Sequence, residues 1–255
     1  MNKKIISNRT GFLIAIILII LISFSCNRDE LLLTKIEPHL YTQHDNIVAA
    51  YFFNGNATDS SKFDNHGTTN HVSLSAGRHG NRNEAYKFWN TFIGYIEIPY
   101  SSSLKIENER TVAFWIYPKS WNGISGILCQ APGNKILADW NNRIKWELYV
   151  HNAPTNLSLT SDEGFITINE WQFICVTLRS DETGTTVSFY KNGNFINSAY
   201  QNTFIPEKYD NYLIGATHKL QYGYFLDCIL DELYIFDKKF GVQEIEDLYN
   251  YTLVN

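Results

Sequence analysis

A chain of 255 residues, 44% hydrophobic and 15% aromatic, carries enough apolar material for a sizeable core and fits one large domain. The net charge of −5 excludes the basic footprint of a nucleic-acid binder. With 16 Tyr and 16 Phe the composition favours strands, and helix-period stretches are nearly absent before Val242.

The first segment reads as a targeting signal. Lys3, Lys4 and Arg9 precede an apolar run from Phe12 to Ile22, shorter than the ~20 residues that span a bilayer. Ser23-Phe24-Ser25-Cys26 follows, and the order basic, apolar, small, Cys resembles a bacterial lipobox. The resemblance implies a lipoprotein signal peptide over 1–25, a lipidated Cys26 and a tether over 26–45. It places the chain on the membrane of a bacterial cell envelope, at the outer membrane, facing periplasm or exterior. A plain signal peptide with a coincidental cysteine, or an uncleaved anchor, is the alternative. Cys129, Cys175 and Cys228 remain, an odd number set among apolar neighbours. They read as small buried hydrophobes, with a Cys129–Cys228 or Cys175–Cys228 bridge as the alternative.

From residue 46 to 255 the pattern is strands and turns without a repeat or linker. Ile47 to Phe53 is the first strand, followed by a loop dense in Asn, Asp, Ser and Gly up to Gly67. Glu84 to Phe88, Gly94 to Pro99, Arg110 to Tyr117, Trp171 to Leu178 and Asp210 to Gly215 read as further strands. Val187 to Ile196 is a β-hairpin, with Asn192-Gly193 supplying a type I′ turn. Ile229, Leu233 and Ile235 give the last strand a buried rhythm, interrupted by Asp231 and Glu232. Val242, Ile245, Leu248 and Tyr249 then mark one face of a short helix.

These blocks, in this order, resemble the LamG-like jelly rolls of the concanavalin A-like lectin/glucanase superfamily. Tyr51, Phe53, Gly55, Asn56, Asp59, Ser60, Asn65 and Gly67 match its opening pattern, and Asp231-Glu232 with the helix matches its closing segment. The usual aspartate before Tyr95 is Gly94 here. The resemblance implies an all-β fold, a two-sheet antiparallel jelly-roll sandwich with a short C-terminal helix.

Relatives on this scaffold include glycoside hydrolases, whose paired carboxylates sit on one strand as E-x-D-x-x-E or E-x-D-x-E. Neither pattern occurs, and Asp231 and Glu232, being adjacent, are expected on opposite faces of their strand. Glu97, Glu107 and Glu109 read as solvated surface, and no catalytic constellation emerges; a glycoside hydrolase whose acids come from separate strands is the alternative. A structural Ca²⁺ ion is a second expectation, because the first loop is rich in oxygen ligands and a buried Asp231 needs a neutralising partner. Asn56, Asp59 and Asp231 are its candidate ligands. The alternative is that Asp231 caps backbone N–H groups or meets an arginine such as Arg82.

Sugar sites combine an aromatic face with amide or carboxylate side chains that fix hydroxyls. Trp121, Trp140 and Trp146, with Asn142, are the candidate ligand-binding residues, Trp121-Asn122 and Trp140-Asn-Asn142 standing in polar loops. Trp89 is a further candidate, while Trp115 and Trp171 read as core. The expected partner is a glycan or polysaccharide, with a surface protein as the alternative, and no nucleic acid.

Overall fold

A computed structural model describes residues 41–90, 94–105, 108–120, 123–130, 133–148, 157–203, 210–219 and 225–254. The chain opens with β1 (Ile47–Tyr51), β2 (Thr68–Asn70), β3 (Ser73–Ser75), β4 (Ala85–Lys87) and β5 (Tyr95–Ile98). A 3₁₀ turn at Ser102–Leu104 leads into β6 (Glu109–Pro118), β7 (Ser125–Gln130), β8 (Lys135–Ala138), β9 (Ile144–Leu148) and β10 (Leu157–Thr160). Next come β11 (Gln172–Asp181), β12 (Gly184–Lys191), β13 (Asn194–Gln201), β14 (Tyr212–Ile214) and β15 (Cys228–Phe236), and α1 (Val242–Val254) closes the fold.

The strands form two antiparallel sheets. The first has the order β13-β12-β11-β6-β15-β4-β3, with β1 also pairing β15; the second has the order β10-β9-β8-β7-β14-β5-β2. Facing side chains such as Phe114, Ile116, Ile127, Trp146, Tyr212 and Leu233 fill the core between them. A second core covers the other face of the first sheet, where Ala113, Trp115, Phe173, Tyr234 and Phe236 meet Ile245 and Leu248 of α1. Both faces of β6 and β15 are therefore covered, which is why these strands read as nearly continuous apolar runs. Gly241 starts the helix by donating its N–H to Glu244 Oε2 at 2.8 Å, half of a capping box. The β12–β13 turn is type I′ in character, with φ of 49° at Asn192 and 77° at Gly193. A Cβ on Gly193 would lie 2.9 Å from the Tyr249 ring, so packing as well as turn geometry requires glycine.

Two expectations and one alternative are corrected. The domain begins before residue 46: the Tyr41 ring lies 4.8 Å from that of Tyr251, and His44 packs 5.4 Å from Phe240. Residues 41–45, read as tether, thus belong to the packed body. The alternative of a cystine bridge is also not realised, since Cys129, Cys175 and Cys228 are free and buried.

The third correction concerns Asp231 and Glu232. The register of β15 against β6 shifts between Asp231 and Leu233, and Glu232 takes a left-handed φ of 51°. This bulge inserts one extra residue and undoes strict alternation. Both carboxylates consequently meet one guanidinium: Arg78 Nη1 lies 3.0 Å from Asp231 Oδ2, and Nη2 lies 3.0 Å from Glu232 Oε1. The Arg78 backbone N–H donates to Asp231 Oδ2 as well, and Nη2 also reaches the Thr252 carbonyl at 2.5 Å. Trp115 supports the guanidinium from 5.2 Å and donates its Nε1–H to Thr252 Oγ1. The arginine that the sequence requires near Asp231 is therefore Arg78, not Arg82.

Two acids share one cation here, and burial is the largest influence on both: it raises the Asp231 pKa and pushes Glu232 from 4.5 up to about 7, against the pull of Arg78. Between those two values the folded protein keeps a proton that the unfolded chain has released, so stability falls as pH rises through that window. Thermal melts from pH 5 to pH 8 are expected to show this decline, and Glu232→Gln is expected to flatten it. Arg78→Met, which leaves two buried carboxylates without a cation, is expected to cost about 3–5 kcal/mol in denaturant melts.

Candidate ligand-binding end of the sandwich

Register places several loops at one end of the sandwich. Ser125 pairs with Ala138 and Lys145 with Thr160, so the β8–β9 turn, the start of β7 and the end of β10 lie together. In the first sheet Cys228 pairs with Pro118 and Ile229 with Lys87. Lys191 Nζ donates to the Phe165 carbonyl, and Asn169 N–H to that of Pro118, which brings the two sets of loops to the same end. Trp89, Trp140 and Trp171 all stand there.

The β8–β9 turn is built around Asp139, a fully buried carboxylate. Its Oδ1 accepts the N–H groups of Asn141 and Arg143, and its Oδ2 accepts Arg143 Nε at 3.0 Å and Lys145 Nζ at 3.1 Å. Burial works to raise its pKa, but the bonds from Arg143, Lys145 and the two backbone groups hold it below the ordinary value. Asn142 occupies the left-handed region at φ 54°, which asparagine tolerates better than most residues. The tip is clamped to the next loop by Gly164 N–H on the Asn141 carbonyl and Ile166 N–H on that of Asn142. Asn141 Nδ2 adds a bond to Glu163 Oε1. Trp140 is left 61% exposed on this rigid turn, with Lys145 Nζ 5.7 Å from its ring centre. The Asn142 side chain has no partner among the described residues. An exposed indole can stack on a sugar face, and an uncommitted amide on the same turn can fix a hydroxyl.

The other sequence candidates fare differently. Trp146 lies in the core at 1% exposure and cannot touch a ligand, because residues 144–148 alternate inward at Ile144, Trp146 and Leu148. Trp121 and Cys26 lie outside the described residues. Trp89 is 37% exposed, its ring covered by Lys87 Nζ at 3.4 Å. Trp115 is buried under α1, and Trp171 packs against Tyr117.

The candidate calcium ligands Asp59 and Asp231 are held in separate hydrogen-bonded settings. Asp59 is 3% exposed, and its oxygens accept Ala50 N–H, Ser61 N–H, Ser61 Oγ–H and Asn65 N–H at 2.7–2.9 Å. Asn56 Oδ1 accepts the Thr58 N–H, and Asp231 is held by Arg78. Asn65 extends the knot by donating to the Val48 carbonyl at 2.7 Å. Asp59 and Asn65 thus fold the first loop onto β1 by hydrogen bonds, with each Asp59 oxygen accepting two. Among the described residues no group of three or more His, Cys, Asp or Glu is placed to hold a metal.

Residues 90–246 match a laminin G family model described as the concanavalin A-like lectin/glucanases superfamily. The chain belongs to this superfamily. A comparison with curated protein sequences found no match. Among solved structures, the fold is similar to the binding domain of Paraclostridial mosquitocidal protein 1, with a TM-score of 0.66 and 16% identity. It also resembles the botulinum neurotoxin type G receptor-binding domain, with a TM-score of 0.59 and 20% identity. A third similar structure, with a TM-score of 0.60 and 16% identity, concerns botulinum neurotoxin type C, whose cell entry depends upon interaction with two ganglioside molecules. Each match covers 81–82% of this chain and 51–52% of the other, so the chain spans about half the length of these structures. At these identities the likeness shows the jelly-roll fold of the superfamily.

Trp140→Ala is expected to leave stability within about 0.5 kcal/mol of the parent, whereas Trp146→Ala is expected to cost about 3–5 kcal/mol. Because Asp59 and Asp231 are satisfied without an ion, EDTA is expected to leave the melting temperature unchanged; a drop of several degrees would show a bound cation.

Proposed function

We propose that this domain is a non-catalytic binding module that recognises a glycan through the end of the sandwich bearing Trp140. The observation that carries the reading is the exposed Trp140 ring on a turn locked by Asp139, with Asn142 on the same turn. A rigid platform gives up little conformational freedom on binding, which favours affinity. Ganglioside recognition by a fold neighbour supports a carbohydrate ligand, and the name of another as a receptor-binding domain supports a binding role. The reading includes lipidation at Cys26, which would hold the module at a bacterial membrane surface with its ligand outside.

A second reading has its own support. Edge strand β13 exposes Phe195, Ile196 and Tyr200, at 48%, 43% and 55%, a surface that suits a protein partner.

A glycan array probed with the chain from Asn27 onward tests the first reading. Selective binding to one polysaccharide class is expected, weakened about tenfold or more by Trp140→Ala, since aromatic contacts are worth up to about 1.5 kcal/mol beyond their buried area. A blank array from the folded protein would favour a protein partner. In bacteria fed radiolabelled palmitate, label on the full chain and none on Cys26→Ala is the outcome expected of the lipoprotein.

A further inference from the structure

Arg110 opens the buried part of β6 and is 1% exposed, inside the sandwich. Among the described residues no carboxylate lies in ion-pair contact with it, although the charge of Asp237 acts on it and burial outweighs that pull. Its Nη1 donates to the Tyr212 hydroxyl at 2.6 Å and its Nη2 to the Leu104 carbonyl at 2.9 Å, both neutral groups. Burying a charge with neutral partners alone is costly. Two further donors nearby are unused: Arg110 Nε and Trp146 Nε1 are buried with no hydrogen-bond partner. Orphaned buried donors are rare in native proteins and call for an explanation.

Both residues line one small cavity of about 10 Å³, together with Tyr212, Asn134 and aliphatic side chains. That space suits a single small particle. A water molecule there would accept from the two N–H groups but would also have to donate two protons, for which the lining side chains offer one amide oxygen, that of Asn134. Tyr212 already accepts from Arg110, so its own hydroxyl proton is another donor. A monatomic anion needs only donors, and it neutralises the guanidinium. Carboxylates and phosphates are too large for the space.

We propose that this cavity is a halide site, holding one chloride ion between Arg110 Nε–H and Trp146 Nε1–H in the middle of the sandwich. The site is independent of any ligand at Trp140. Its chemistry is that of a buried counter-ion: chloride binds the folded state alone, so it stabilises the fold in proportion to the logarithm of its concentration once above its dissociation constant.

The test is a series of thermal melts of the protein at constant ionic strength, with sodium gluconate exchanged stepwise for sodium chloride or sodium bromide. The melting temperature is expected to climb with either halide. Crystals grown in sodium bromide are expected to show an anomalous peak within hydrogen-bond reach of both nitrogens. Trp146→Phe keeps the apolar packing but removes one donor, and Arg110→Met removes the charge; each is expected to flatten the halide dependence. Equal melting temperatures in gluconate and chloride, with no anomalous density, would mean a water molecule and would overturn the proposal. A halide response retained in both variants would overturn it too.

Discussion

Arg78 reaches from the loop before β4 to two consecutive acids of β15 and to a carbonyl in the last turn of α1. The two acids belong to the first sheet and the carbonyl to the helix, so one side chain joins that sheet to the helix that roofs it. The bulge makes this possible. A regular strand would send one of the two carboxylates into the apolar core, where nothing described could neutralise it. The left-handed backbone at Glu232 carries a strain of order 1–3 kcal/mol, which persists because the guanidinium, the Trp115 ring and Thr252 over-determine the geometry. The second core under α1 depends on that clasp, since the helix has no strand partner and is held by side chains alone. β15, paired with β1, β4 and β6, transmits the same constraint across the sheet.

Much of this was legible in the chain. The strands were readable because each buried face imposes its own period, and the Asn192-Gly193 turn because few residue pairs tolerate two left-handed positions. The closing helix was readable from Val242, Ile245, Leu248 and Tyr249. What escaped was three-dimensional. A bulge has no periodic signature, so alternation assigned Asp231 and Glu232 to opposite faces. The partner of Asp231 lies 153 positions earlier in the chain, and nothing local distinguishes Arg78 from Arg82. Arg110 looked like the polar start of a strand, yet it is swallowed between the sheets.

The candidate site divides along the same line. Trp140 was readable as a loop residue because Asn141, Asn142 and Arg143 follow it with no apolar alternation. Trp146 was misjudged for the opposite reason: Ile144, Trp146 and Leu148 alternate, and that rhythm outweighs the charged Lys145 and Glu147 between them. The first loop offered a third lesson. Its oxygen-rich composition suits a cation and a hydrogen-bonded knot equally well, and only the positions of the backbone N–H groups around Asp59 decide between them. Composition specifies the supply of ligands, while geometry specifies who receives them.

The three thiols have a use that follows from their placement. Cys129 lies on β7 in the second sheet, and Cys175 and Cys228 lie on β11 and β15 in the first, all fully buried with their pKa values pushed up by desolvation. A thiol that is both protonated and enclosed does not react until its strand opens. Alkylation of each cysteine under native conditions therefore clocks the opening of its own layer, and the three rates together would tell whether the sandwich comes apart as one unit or sheet by sheet.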